Sequence, residues 1–447
     1  MEKNLLKKDI PSPQQTTGKA HHFIRIFSVL MAATVTILSI TACGDDVTNI
    51  YGEEPEITPP TPTDTLKHRT VLAYIWGDIE DNILLSQSQL EYINRMEAGW
   101  QDNFDGDLYV YLDPSPNFVQ FTQPVLLKIT HDETPAIVSK IVESYEPIEP
   151  GGDITRYPEI QERAREIAPA ETYGLMLFGH GSGALMFNPP IVTRGMGGGY
   201  NKYLENKELA ELTLEGYEYI IFHACQMASV EVAYEFRNKA DYMVGSEVEL
   251  YNVSWPFDQL MSYLFAKPQA DLSNFTLTAA KWLYDTSMNE LGWERCESTA
   301  SLIDLKQMDR LAEATHQAFV ENNIDKEAIK EGLRVCHFVN NIETTDSGPY
   351  EDPRDLTVDF IELMYRLGIL SDGWIEAYNQ ACLINATFFT LPMYDEYVSF
   401  YNGLSIYPML EGFLQGNNEE SEALLNILLE DYQGLQWYQD CGFAEME

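Results

Sequence analysis

Tyr173-Gly-Leu-Met-Leu-Phe-Gly179-His180-Gly181 is an apolar run that ends on a histidine between glycines. Tyr217-Glu-Tyr-Ile-Ile-Phe-His223-Ala224-Cys225 repeats the pattern and ends on a cysteine. Short apolar runs of this kind, rich in β-branched or aromatic residues and bounded by turn or polar residues, read as buried strands of a parallel sheet. In an open α/β sheet ligands bind beyond the carboxyl ends of the strands, so His180 and Cys225 stand where side chains are displayed for chemistry. An imidazole beside a thiol takes its proton and leaves a strong nucleophile near neutral pH. The pair is the minimum apparatus of a cysteine peptidase.

Further strands are expected at Thr70–Trp76, Asp107–Leu112 and Tyr242–Ser246, with Val125–Thr130 as a hairpin partner. Helices are expected near Ser86–Met96, Tyr157–Ala168, Lys207–Leu214 and Ala228–Asn238. Strands alternating with helices of this length imply βαβ units and a mostly parallel sheet flanked by helices, an α/β fold. Beyond residue 265 the pattern becomes largely helical, at Leu277–Thr286, Lys306–Val320, Leu356–Leu367, Trp374–Ala386 and Glu419–Tyr432. The strand-like pieces Ser298–Asp304 and Gly403–Ile406 are candidates for the edge of the main sheet. The folded part, near 380 residues from about Arg69 to the end, exceeds a typical single domain. It therefore divides into a unit at 69–265 and a helical C-terminal subdomain at 266–447.

His180 precedes Cys225 by 45 residues, close to the roughly 50 that separate the two in caspases. Leu177-Phe-Gly-His-Gly-Ser-Gly183, Ala224-Cys-Gln-Met-Ala-Ser-Val-Glu-Val-Ala-Tyr-Glu235, Asp241-Tyr-Met-Val-Gly-Ser-Glu247 and Trp255-Pro-Phe-Asp258 together resemble the clostripain-like cysteine peptidases of the caspase-like clan. The resemblance implies a caspase-like fold, Cys225 as nucleophile, His180 as general base, and backbone N–H groups of Gly181 and Cys225 as oxyanion hole. It implies protein or peptide substrates and no cofactor for the chemistry itself, with calcium as the ion on which some members depend. It also implies activation by cleavage between the two catalytic residues, for which Arg194, Lys202 and Lys207 around the glycine-rich run Thr193–Tyr200 are the candidate cut sites. A plain mobile loop is the competing reading. Family members carry an Asp two residues before the nucleophile, where it pairs with a substrate Arg or Lys; here that position is His223. Cleavage after basic residues would then depend on Glu247 and Glu249, whose plainer reading is two solvated acids.

Two other readings stand beside this one. A catalytically inactive relative would serve as a surface-binding module, with His223 marking a lost pocket. His180, His223 and Cys225 would make a three-ligand zinc site with an open position, provided the strand extends past His223 so that its residues share a side. No phosphate loop, dinucleotide fingerprint or H-E-x-x-H is present, and Gln101–Gly106 fails the EF-hand pattern.

Lys3, Lys7, Lys8, Lys19 and Arg25 precede the apolar run Ile26–Ile40, too short for a stable span and followed by Thr41-Ala42-Cys43. Residues 1–42 read as a lipoprotein signal, Cys43 as the lipidated residue, and 43–68, with Pro55, Pro59, Pro60 and Pro62, as an extended stalk. The chain is expected in a bacterial cell envelope, on the outer membrane and exposed at the surface, and held only by the lipid. A net charge of −42 excludes nucleic acid as a partner. Of six cysteines, Cys296, Cys336, Cys382 and Cys441 have no assigned role; they form two disulfides or stay buried and reduced.

Overall fold

The computed structural model describes residues 66–77, 83–115, 118, 120–146, 156–183, 186–188, 191–193, 196–197, 203–250, 255–292, 296–333, 335–336, 357–389, 401–408, 410 and 419–446. The chain opens with β1 (Lys67–Ile75), α1 (Ile83–Gly99), β2 (Gly106–Leu112), β3 (Val125–Lys128), β4 (Lys140–Ser144), α2 (Arg156–Ile167) and β5 (Ala170–Phe178). Short strands follow: β6 (His180–Gly181), β7 (Met186–Asn188), β8 (Ile191–Thr193), β9 (Met196–Gly197) and β10 (Tyr203–Leu204). Then come α3 (Asn206–Leu212), β11 (Tyr217–His223), α4 (Val230–Glu235), β12 (Ala240–Gly245), α5 (Phe257–Leu264) and α6 (Leu272–Asp285). The last part holds β13 (Glu297–Asp304), α7 (Met308–Asn322), α8 (Lys326–Leu333), β14 (Val358–Asp359), α9 (Phe360–Arg366), α10 (Asp372–Ala381), β15 (Cys382–Phe389), β16 (Ser405–Ile406), α11 (Glu419–Gln433) and α12 (Gln436–Asp440).

Nine strands form one sheet in the order β15-β13-β12-β11-β5-β1-β2-β3-β4. The middle five, β12 to β2, run parallel, and an antiparallel pair closes each edge. Period-two alternation sends each strand's residues to two cores. Leu72, Tyr74, Ile220 and Phe222 pack on one face, whereas Val71, Ala73, Ile75, Tyr219 and Ile221 pack on the other. Chain direction across the sheet reverses between β1 and β5, which makes the carboxyl ends there a topological switch point.

Both cores draw residues from before and after position 265, and Pro62–Glu447 forms one compact unit. The expected C-terminal subdomain thus shares the sheet and its cores: β13 joins β12 and β15 joins β13. The helix expected over Trp374–Ala386 stops at Ala381. Cys382–Phe389 instead pairs with β13, because Ile384, Thr387 and two Phe suit a pleated surface and the neighbouring strand supplies the partner. Gly403–Ile406 does not extend the main sheet: Ser405–Ile406 pairs with Val358–Asp359 in a separate ribbon. The helix expected from Leu356 starts at Phe360, where the Asp359 carboxylate caps it by accepting from Glu362 N.

At the amino ends of the strands Arg69 is wholly buried. Its guanidinium donates to Glu218 Oε2 (2.6 and 3.0 Å), Leu264 O (2.6 Å) and Ala266 O (3.0 Å). Ala270 N donates to the other Glu218 oxygen at 2.8 Å. This network ties β1 and β11 to the turn after α5, opposite the end where chemistry is expected.

Candidate active site

β5 and β11 are adjacent and parallel, with Phe178 opposite His223. Two residues further along each strand lie His180 and Cys225, so equal overhangs carry the pair out of the sheet at the same level. Gly181 packs directly against the Cys225 backbone. A Cβ built on Gly181 would lie 2.4 Å from Cys225 O, 2.9 Å from Ala224 Cβ and 3.0 Å from Cys225 N, so this position admits only glycine. His180 is half-buried, and β6 pairs it with Gly197 of β9.

After Cys225 the chain turns sharply. Gln226 has φ 58°, a left-handed conformation that costs a non-glycine residue about 1 kcal/mol or more. Gln226 N donates to Val248 O (3.1 Å) and Ala228 N to Ser246 O (2.9 Å), which hold the turn in place. Gly183, itself at φ 57°, sits against it; a Cβ there would lie 2.7 Å from Gln226 O. Asn206 Nδ2 fixes Gly183 by donating to its carbonyl at 2.6 Å. Ser229 then caps α4, its side chain accepting from Val232 N. Strand, turn and capped helix thus present Cys225 at a rigid corner.

The thiol is covered by the segment that follows β12. Leu250 N donates to Cys225 Sγ at 3.2 Å, and Sγ donates back to Leu250 O at 3.5 Å. Burial, and after it the nearby charge of Glu249, push the thiol up to about 11, against a partial offset from the Leu250 bond. In this conformation the half-buried Cys225 thiol is held in its protonated form.

His223 does not line an open pocket. β11 ends at His223, so the strand extension on which the zinc reading depends is absent. Its ring is 4 % exposed and packs among Tyr92, Phe178, Trp255 and Phe257 at centroid distances of 4.8, 5.1, 5.0 and 5.7 Å. Nε2 accepts from Trp255 N at 3.4 Å, and burial depresses the imidazole to about 3, which keeps it neutral. The zinc reading therefore loses a ligand. Among the described residues no group of three His, Cys, Asp or Glu is placed to hold a metal ion.

The two candidate pocket acids part company. Glu249 is exposed and its charge reaches Cys225, whereas Glu247 is wholly buried and accepts from Gly403 N at 2.9 Å, facing the C-terminal half. Strand-end alternation alone did not tell which acid turns inward. Gln101–Gly106 is a turn closed by Phe104 N donating to Gln101 O, and Asp105 is paired with Lys267. Lys207 lies in the first turn of α3 with Nζ donating to Gly434 O at 3.4 Å, a helical site for a proposed cut. Arg194, Lys202 and Cys43 lie outside the described residues. Cys225, Cys296, Cys336, Cys382 and Cys441 are all free thiols, so the described cysteines form no disulfide. Leu250 is the site residue that sequence reasoning missed; a lone leucine after two acids carries no signal of it.

The sequence profile of the clostripain family matches residues 74–436. No curated protein matches the chain. Among solved structures, an inactive zymogen C11 protease from Parabacteroides distasonis superposes with a TM-score of 0.61 at 23% identity, covering 85% of this chain and 99% of that one. A secreted C11 cysteine protease from Bacteroides thetaiotaomicron, in complex with an irreversible peptide inhibitor, superposes with a TM-score of 0.60 at 23% identity over 84% and 99%. At this identity the two structures establish a shared fold, the mixed nine-stranded sheet with flanking helices described above.

Proposed function

The chain belongs to the clostripain family and is a cysteine peptidase, and from that premise we propose that it hydrolyses peptide bonds with Cys225 as nucleophile and His180 as base. The reading is supported by one observation above the rest: the equal overhang of β5 and β11, with Gly181 packed against the Cys225 backbone. His180 takes the Sγ proton and the thiolate adds to the substrate carbonyl. The N–H groups of Gly181 and Cys225 receive the oxyanion. The bond to the leaving amine then breaks, His180 protonates that amine, and water activated by the same imidazole releases the acyl group.

Preference for Arg or Lys before the scissile bond belongs to the same proposal, with Glu249 as the carboxylate that His223 cannot replace. Its support is exposure beside the nucleophile. Among the described residues no helix is long and apolar enough to cross a membrane. Anchoring through lipidated Cys43 is our reading of Ile40–Cys43 and its basic leader alone.

The test is cleavage of a diverse peptide library by the full chain beside Cys225→Ala and Glu249→Gln, each with and without chelator. Activity is expected from the parent chain, loss in Cys225→Ala, and in Glu249→Gln a drop of about tenfold or more for Arg and Lys peptides relative to neutral ones. Activity that survives Cys225→Ala would overturn the assignment, and silence of the parent even after limited proteolysis would favour the binding module.

A further inference from the structure

The segment that covers the nucleophile is held at both ends of a short path. Toward the site, Val248 O accepts from Gln226 N and Leu250 clasps the Cys225 thiol from both sides. Away from the site, the Glu247 side chain runs into the interior and its Oε2 accepts from Gly403 N at 2.9 Å. Its other oxygen, Oε1, finds no hydrogen-bond partner among the described residues.

What surrounds Glu247 there is another acid. Asp359, wholly buried at the start of α9, accepts from Asn402 N (2.6 Å), Asn402 Nδ2 (2.9 Å) and Glu362 N (2.8 Å). The 402–403 backbone is therefore held by two carboxyls, one on each of its successive N–H groups. The other titratable groups facing the pair are Tyr378 from α10, Cys382 from β15, Glu362 from α9 and Cys336. Tyr378 OH is occupied by Asn402 O and Leu404 N. Arg366, the cation on the next turn of α9, is committed to Glu362. Thr299 Oγ1 accepts from Glu247 N at 2.9 Å, which leaves the carboxyl itself unneutralised.

We propose that Ser246–Leu250 is a strap that keeps Cys225 in reserve, and that the buried carboxyl pair Glu247–Asp359 latches the strap to the C-terminal half through the 402–403 backbone, releasing it on loss of a proton. The proposal rests on the reading of Cys225 as nucleophile. Burial holds both carboxyls above the usual carboxylate range, with the Asp359 charge adding to it at Glu247 and the Glu362 charge at Asp359. A raised value stabilises the closed latch at low pH, and that stability is lost as pH rises from the usual carboxylate range through the pair's own raised value. Ionising both acids would put two like charges in a dry site with only neutral amide donors to receive them, which favours a conformation that exposes one of them to water. That conformation frees the thiol.

Hydrogen exchange of the full chain tests this without any peptidase assay. After correction for intrinsic rates, protection of the Leu250, Gln226 and Gly403 amides is expected to fall about tenfold per pH unit across that window, the signature of one proton released per opening. Glu247→Gln keeps an acceptor for Gly403 N without a titrating proton, and Asp359→Asn keeps the helix cap; each is expected to flatten the pH dependence. Flat protection in the parent chain, or an unchanged slope in both folded variants, would overturn the latch. Either result stands whether or not Cys225→Ala abolishes cleavage, so failure of the strap and failure of the peptidase assignment are distinguishable.

Discussion

Cys225 works or rests according to contacts of single atoms. Gly181→Ala would drive a methyl to within 2.4 Å of Cys225 O, and the adjoining backbone has to move. A displacement near 1 Å at reacting groups costs about 10²-fold. The expected result is a fall of that order in kcat/KM with the far-UV spectrum and melting temperature nearly unchanged; unaltered kinetics would show that the two strand ends do not act together. His223 carries a different prediction. Folded, its imidazole is held near 3, so it binds a proton readily only once unfolded, and its contribution to stability is lost as pH falls from about 6.5 toward 3. His223→Phe keeps the ring packing but removes the Nε2 acceptor that Trp255 N uses, a cost of about 0.5–1.5 kcal/mol at neutral pH. That deficit is expected to shrink by about 1.4 kcal/mol per pH unit on acidification, read from urea unfolding at a series of pH values. A deficit that stays constant would mean that the imidazole is not the proton-excluding group.

The strands that position the site were legible one element at a time. His180 and Cys225 each follow a short run whose apolar content, aromatic in both and β-branched in the second, leaves little alternative to a buried strand. Less legible were elements whose identity depends on a partner far along the chain. Trp374, Ala377, Tyr378 and Ala381 have helical spacing, and only pairing with β13 makes Cys382–Phe389 a strand. The Leu250 clasp is illegible for the same reason, since hydrogen bonds from Leu250 back to Cys225 leave no periodicity. Polar burial is likewise invisible: Arg69 reads as an ordinary basic residue before a strand, yet it joins β1, β11 and the turn after α5. Arg69→Met would leave the Glu218 carboxylate, about one-tenth exposed, with Ala270 N as its remaining hydrogen-bond donor among the described residues. The expected loss is about 3–5 kcal/mol in denaturant unfolding. Replacing Glu218 with Leu as well is expected to recover part of that loss, and a double variant no better than the single one would show that the backbone bonds to Leu264 and Ala266 matter more.

At the scale of the whole molecule the charge and the site act on each other. A net charge of −42 surrounds a Cys225 thiol already held protonated by burial and by Glu249, so the field that discourages thiolate formation also gathers cations. A cationic peptide entering the site brings positive charge to the place where it favours the thiolate. Encounter is the part of this that salt reports, because exposed charges are screened beyond about 10 Å at 0.1 M and about 30 Å at 0.01 M. For a peptide bearing several Lys or Arg residues, kcat/KM is expected to fall about tenfold as ionic strength rises from about 0.01 to 0.15 M, through association and not through kcat. A neutral peptide cut at the same bond is expected to change less than about twofold, and Glu249→Gln to reduce the rate for the cationic peptide without flattening its salt slope, since one charge among so many sets contact and not approach. If both peptides respond to salt alike, the acidic surface serves solvation alone and selectivity has to come from contacts at the thiol.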